Sequence, residues 1–226
     1  MHKDTESAAR LERRRNRETG FSIVELVVVT AIIFIVAAMA VLQLQPAWQQ
    51  IQANAALSQV KSTLRQGREM AISQRRTIVV QFLTAGATPL CPQAGNTFNC
   101  IALTLMVVSP GNPPTQAIAA NPFLVVPLES NVQFMSYAGE PDTPDAFIGA
   151  GPTAPNGLYF GSTSGTPTSG LQFQSDGTFT NGNVNPVNFT IFMGEANIPT
   201  TARAITILGN TGKVTGYAGT GKAWFR

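Results

Sequence analysis

The sequence predicts an α+β fold: one long N-terminal helix laid against antiparallel β-sheets. Three observations carry this expectation. An apolar run opens at Phe21 and passes into a stripe of small and aliphatic residues at helical spacing. From Thr77 onward the hydrophobic period switches from helical to alternating. Among the alternating segments lie most of the 20 glycines and 15 prolines, residues that close turns and end elements.

Composition narrows the class further. A chain of 226 residues has room for one domain with a sizeable core and an appendage. Charged residues make up 12%, about half the usual share. The net charge of +3 is unevenly spread. Lys3, Arg10, Arg13, Arg14, Arg15 and Arg17 face Asp4, Glu6, Glu12 and Glu18 in the first twenty residues, a balance of +2. Everything after Gly20 carries +1, and no Lys or Arg occurs between Arg76 and Arg203. A phosphate-binding surface needs clustered cations, so most of the C-terminal region is unsuited to be one.

Residues 1–20 read as a cytoplasmic leader. Phe21 to Leu42 is 22 residues, about 33 Å as a helix, enough to span the hydrocarbon core of a membrane. The basic block before it should stay in the cytoplasm and place the rest of the chain outside. An ordinary secretory signal puts its small-residue cut site after the apolar stretch. Here the small residue, Gly20, stands before it, so a cut there would leave the helix on the mature protein. Glu25 is the one charged side chain in the span. A carboxylate at that depth costs several kcal/mol unless it is paired. A cut after Gly20 would create a partner, the α-amino group of Phe21, one helical turn away.

Gly20-Phe21-Ser22-Ile23-Val24-Glu25 followed by an apolar helix resembles the class III signal of type IV pilins and type II secretion pseudopilins. The resemblance implies that a prepilin peptidase cleaves between Gly20 and Phe21 and that Phe21 becomes N-methylated. It also implies that Glu25 aids assembly with other pilins or pseudopilins through the N-terminal helix. The subunit would sit in a bacterial inner membrane as a single-pass protein with its head periplasmic, and from there enter a filament.

Past the membrane, Ala53, Leu57, Val60, Leu64, Gly67 and Ala71 form an amphipathic stripe. Pro46 between the halves should kink the helix or loosen its hydrogen bonding. The segment from Leu64 to Val80, an Arg/Glu/Ala-patterned helix followed by Arg75-Arg76 and a β-branched strand, is similar to the GspH/FimT family of minor pilins and pseudopilins. The domain scheme is therefore leader 1–20, transmembrane and assembly helix 21–44, amphipathic helix 45–76 and β-rich head 77–226.

Within the head, strands are expected at Ile78–Leu83, Ile101–Val108, Val132–Tyr137, Gly157–Phe160, Leu171–Gln174, Val187–Phe192, Ala204–Leu208 and Lys213–Tyr217. Asp176-Gly177 and Gly209-Asn210-Thr211-Gly212 supply turns between the later ones. Phe173-Gln174-Ser175-Asp176-Gly177-Thr178 and the closing pair Arg203–Ile207 and Thr211–Val214 also resemble GspH/FimT hairpins. Cys91 and Cys100, nine apart, would close a short loop if paired in an oxidising compartment; the alternative is two free thiols in a cytosolic loop.

No enzyme is expected. The single histidine, His2, lies in the leader, which removes Ser-His and Cys-His pairs and most zinc sites from the processed chain. The acidic residues show neither calcium spacing nor an acid/base pair, and Glu140-Pro141-Asp142-Thr143-Pro144-Asp145 reads as a solvated loop. No P-loop spacing is present. No catalytic residue, metal, cofactor or small-molecule substrate is anticipated. The functional expectation is a minor pilin or pseudopilin, a structural subunit of a type II secretion pseudopilus or a type IV pilus. The alternative is a pilus-tip DNA receptor for natural transformation. For that role Lys213, Lys222 and Arg226 would supply phosphate contacts, with Trp224 and Phe225 available to stack on bases.

Overall fold

The computed structural model describes residues 22–84, 91, 98–109, 115–128, 131–149, 151–153, 156–161, 163–164, 170–182 and 185–225. The chain divides into two compact units, Met1–Pro46 and Ala47–Arg226, a boundary two residues beyond the expected one.

Helix α1 spans Ile23–Gln74. Its first bond runs from the Leu26 N–H to Ser22 O at 3.1 Å. Pro46 removes one N–H from the ladder but does not end the helix. Termination comes at Arg75, whose φ of 52° is left-handed. The Arg75 N–H reaches Ile72 O (3.3 Å) and the Arg76 N–H reaches Ala71 O (3.1 Å), a Schellman closure. Without a glycine at that position, the left-handed turn costs roughly 1–2 kcal/mol.

In the first unit, Ile23, Leu26, Ile33 and Phe34 are exposed, as are the other large apolar side chains described there. In the second unit, α1 buries Ala53, Ala56, Val60, Leu64 and Ala71 completely, while Leu57 is half-buried. This is the expected stripe, rotated so that Ala56 takes the inward place foreseen for Leu57. Small residues let the helix approach the sheet closely. A Cβ at Gly67 would already stand 3.2 Å from a Leu103 methyl.

Among the described residues thirteen strands follow: β1 Ile78–Thr84, β2 Phe98–Ser109, β3 Thr115–Ile118, β4 Leu124–Pro127, β5 Val132–Phe134, β6 Leu158–Phe160, β7 Thr163–Ser164, β8 Leu171–Phe173, β9 Phe179–Asn181, β10 Phe189–Glu195, β11 Ile198–Leu208, β12 Lys213–Gly219 and β13 Trp224–Phe225. One sheet has the order β3-β2-β1-β8-β9, with β4 also on β2. The other has the order β13-β12-β11-β10-β6-β7, with β5 also on β10. Every pairing is antiparallel.

The eight expected strands are all present, with moved ends. The expected Val187–Phe192 starts two residues later and runs to Glu195; the expected Ala204–Leu208 begins six residues earlier, at Ile198. Strands β3, β4, β7, β9 and β13 were not foreseen. Each has at most four residues, too few for periodicity to register.

One core joins the helix stripe to the inner faces of both sheets, including Phe82, Phe134, Phe173, Phe179 and Phe189. On the opposite face of the second sheet lies a smaller cluster of Ile148, Tyr159, Phe192, Ala204 and Tyr217, with Trp224 packed against it. Residues 137–149 cover this face, which corrects the expectation of a solvated loop at Glu140–Asp145. Glu140 is buried. The Asp142 carboxylate accepts the N–H groups of Thr143 (2.7 Å), Ile148 (2.9 Å) and Gly149 (2.7 Å). Asp145 accepts the Thr206 hydroxyl, and Pro141 O accepts the Trp224 indole N–H at 2.9 Å. The carboxylates and prolines that read as solvent-seeking instead supply acceptors that organise a turn.

Candidate functional site

The N-terminal candidates divide at the first described residue. Gly20 and Phe21 lie outside the described residues. Glu25 sits in the first turn of α1, where a carboxylate meets the positive end of the helix dipole. It is exposed within a single chain. Around it Ile23, Val24, Leu26, Val27 and Val28 are exposed apolar side chains. By length and composition α1 can cross a membrane.

In the head, Cys91 and Cys100 are joined by a disulfide with a Cα–Cα distance of 6.1 Å, and both are fully buried. Cys100 stands in β2, opposite Leu83 of β1 and Pro127 of β4. The cross-link therefore ties residue 91 to an interior strand of the first sheet. Closing so short a loop contributes roughly 2.5–3 kcal/mol in the chain-entropy account.

Of the expected DNA contacts, Lys213 and Lys222 are held apart. Lys213 opens β12, whereas Lys222 follows its far end at Gly219; six residue steps along the strand separate those ends by about 20 Å. Trp224 is also committed, bonded to Pro141 O and with its ring 5.7 Å from that of Phe192. Phe225 remains exposed, and Arg226 lies outside the described residues.

Lys213 instead joins the helix. With Arg65, Arg68, Glu69, Thr211, Gly212 and Val214 it lines an open cleft of about 540 Å³. The Arg68 Nε–H donates to Thr211 O at 2.8 Å, and Arg65 Nη2 lies 3.4 Å from Val214 O. Both guanidinium groups are thereby oriented against the β11–β12 turn. Sequence reading separated these residues because nearly 150 positions lie between them. Only the packing of α1 on the hairpin brings them together.

Arg203 behaves differently from the other cations. It is buried, and it donates to Asn54 Oδ1 (2.8 Å), Ala202 O (2.7 Å), Thr200 O (3.4 Å) and Gly219 O (3.4 Å). Burial pushes its pKa down. It serves as a clamp between α1 and the second sheet and is closed to ligands. Among the described residues, no group of three His, Cys, Asp or Glu side chains is placed to hold a metal ion.

Residues 15–41 match the prokaryotic N-terminal methylation motif. The chain thus carries a methylation-type N-terminus, whose matched stretch includes Gly20, Phe21 and Glu25. No curated protein gives a significant sequence match. Among solved structures, the chain is similar to the minor pseudopilin EpsH from the type 2 secretion system of Vibrio cholerae. That likeness has 14% identity, covers 74% of this chain and 97% of the other, and has a TM-score of 0.42. It is also similar to the type IV minor pilin FimU of Pseudomonas aeruginosa, at 17% identity, 72% and 90% coverage and a TM-score of 0.41.

Proposed function

We propose that the chain is a minor pilin or pseudopilin of the GspH/FimT type, a structural subunit of a type II secretion pseudopilus or a type IV pilus. The observation that carries this reading is the methylation motif across residues 15–41, overlapping the apolar span 23–44 of α1, whose single charge is Glu25. A helix this apolar and this exposed needs a lipid or protein environment, and both are met by a subunit that waits in the inner membrane and then packs its helix against those of other subunits. Prepilin peptidase removes residues 1–20, Phe21 receives a methyl group, and the head stands on the extracytoplasmic side. The head's disulfide fits that compartment. The protein has no catalytic part in this scheme.

Intact-mass measurement of the membrane-bound protein tests the reading. The expected mature chain begins at Phe21 and carries one added methyl, and Gly20→Leu leaves the leader attached. A mature N-terminus beyond residue 40 would instead mean an ordinary signal peptide.

The cleft holding Lys213 gives a second reading, nucleic-acid binding, one specific support. Arg65, Arg68 and Lys213 would neutralise about three phosphates, so log K should fall by at most ~3 per decade of salt. Contact that small predicts undetectable binding at physiological salt. Labelled duplex DNA titrated at low and physiological salt, with Lys213→Ala in parallel, is the check. Micromolar binding at physiological salt, lost in the variant, would make the receptor the leading reading.

A further inference from the structure

Residues 137–149 form a strap across the outer face of the second sheet, and one carboxyl group is buried within it. Glu140 has 4% of its surface exposed. Its Oε2 accepts the Tyr137 N–H at 3.0 Å, while its Oε1 is buried without a hydrogen-bond partner. A carboxylate in that position leaves charge unsolvated, whereas a neutral carboxyl group does not. The strap is bounded by residues suited to hinging: Gly139 (φ 76°) before Glu140, and Gly149 (φ 86°) and Gly151 (φ 77°) at the far end. Between them the strap docks through the Trp224 indole on Pro141 O, the Thr206 hydroxyl on Asp145, and Ile148 in the cluster of Tyr159, Phe192, Ala204 and Tyr217.

We propose that this strap is a proton-controlled cover: it stays docked on the second sheet while Glu140 is neutral and loosens when Glu140 ionises, uncovering Tyr159, Phe192 and Tyr217 and freeing Trp224.

Of the carboxyl groups around this corner, Glu140 is the one that lies in the strap and is almost wholly buried. Tyr137, on the strap itself, donates its hydroxyl to Glu195 O (2.7 Å) and pairs with Thr201 Oγ1 (3.0 Å). Burial pushes the Tyr137 hydroxyl up to about 12. Glu195 ends β10, and its Oε2 is also buried and unpartnered. Arg203, from β11, is engaged with Asn54 and backbone carbonyls. Asp142 and Asp145, further along the strap, hold backbone N–H groups and the Thr206 hydroxyl. Burial raises the Glu140 carboxyl from its ordinary 4.5 to about 7, partly offset by the Tyr137 N–H. The docked form therefore binds the proton more tightly than the undocked form. Docking is strongest below pH 4.5, weakens as pH rises toward about 7, and levels off above it.

Hydrogen exchange of the Ile148 and Gly149 amides and of the Trp224 indole N–H, the last bonded across from the second sheet to Pro141 O of the strap, reads this equilibrium in the full chain in non-ionic detergent micelles. After correction for intrinsic exchange, their protection should fall roughly fiftyfold between pH 5 and pH 8. Amides of β1, in the other sheet, should keep theirs. Trp224, made the sole tryptophan by Trp48→Phe, should become more accessible to acrylamide over the same range. Glu140→Gln and Glu140→Met remove the ionisable group, and whichever variant folds should show constant protection. Wild-type protection that changes less than about threefold, or a pH dependence that persists in either variant, would overturn the proposal.

Discussion

Phe189→Ala should cost about 3–5 kcal/mol of stability, the range for removing a fully buried phenylalanine from a packed core. Phe189 has no exposed surface, and its position gives the residue unusual reach. It stands in β10 of the second sheet, with its ring centroid 5.0 Å from that of Phe160 on β6. Across the core it meets Phe82 of β1 at 5.7 Å and Phe179 of β9 at 5.8 Å, both strands of the first sheet. Truncation removes the shared partner of three rings and leaves a cavity between two sheets whose hydrogen-bonded strands resist collapse. Domains of this size are stable by only ~5–15 kcal/mol, so the loss takes a large part of the total. The midpoint of thermal unfolding, followed by circular dichroism of the full chain in micelles, should drop by roughly 6–20 °C. Phe123→Ala provides the contrast, because Phe123 is 41% exposed and its loss should stay within about 0.5 kcal/mol. Equal shifts in the two variants would mean that the rings between the sheets do not hold them together.

The second large effect concerns assembly. Under the proposed role, Glu25→Ala should insert into the membrane and be processed normally yet enter filaments poorly. Removing the carboxylate makes the apolar span cheaper to insert. It also deletes the partner of the Phe21 amine, on the same helix or a neighbouring one. In hydrocarbon, an ion pair worth even ~1.4 kcal/mol predicts about a tenfold fall in incorporation. Membrane abundance compared with sheared-filament abundance separates insertion from assembly. Filament recovery at the wild-type level would show that helix packing alone suffices.

The N-terminal half of this protein is legible because its determinants are local. An apolar run, one charge within it and a small residue ahead of it are features of a few dozen consecutive positions, and the helix they specify follows from periodicity. The inward stripe from Ala53 to Ala71 is legible for the same reason, down to the glycine that lets Leu103 approach. Hairpins closed by Asp176-Gly177 and by residues 209–212 also declare themselves, since turn chemistry is local.

Tertiary structure alone decided three other things. Strand β1 pairs with β8 across nearly a hundred residues, a choice made by which apolar faces can be covered together and not by any nearby signal. Lys213 belongs with Arg65 and Arg68 rather than with Lys222, because an extended strand holds its ends apart while helix packing brings distant cations together. Glu140 is the clearest case. Amid prolines, glycines and aspartates it reads as solvated, since sequence reports polarity but not which polar groups the backbone can satisfy internally. Once Asp142 holds the turn and Trp224 closes over Pro141, the fold has buried a carboxyl group that its sequence alone would have left in water.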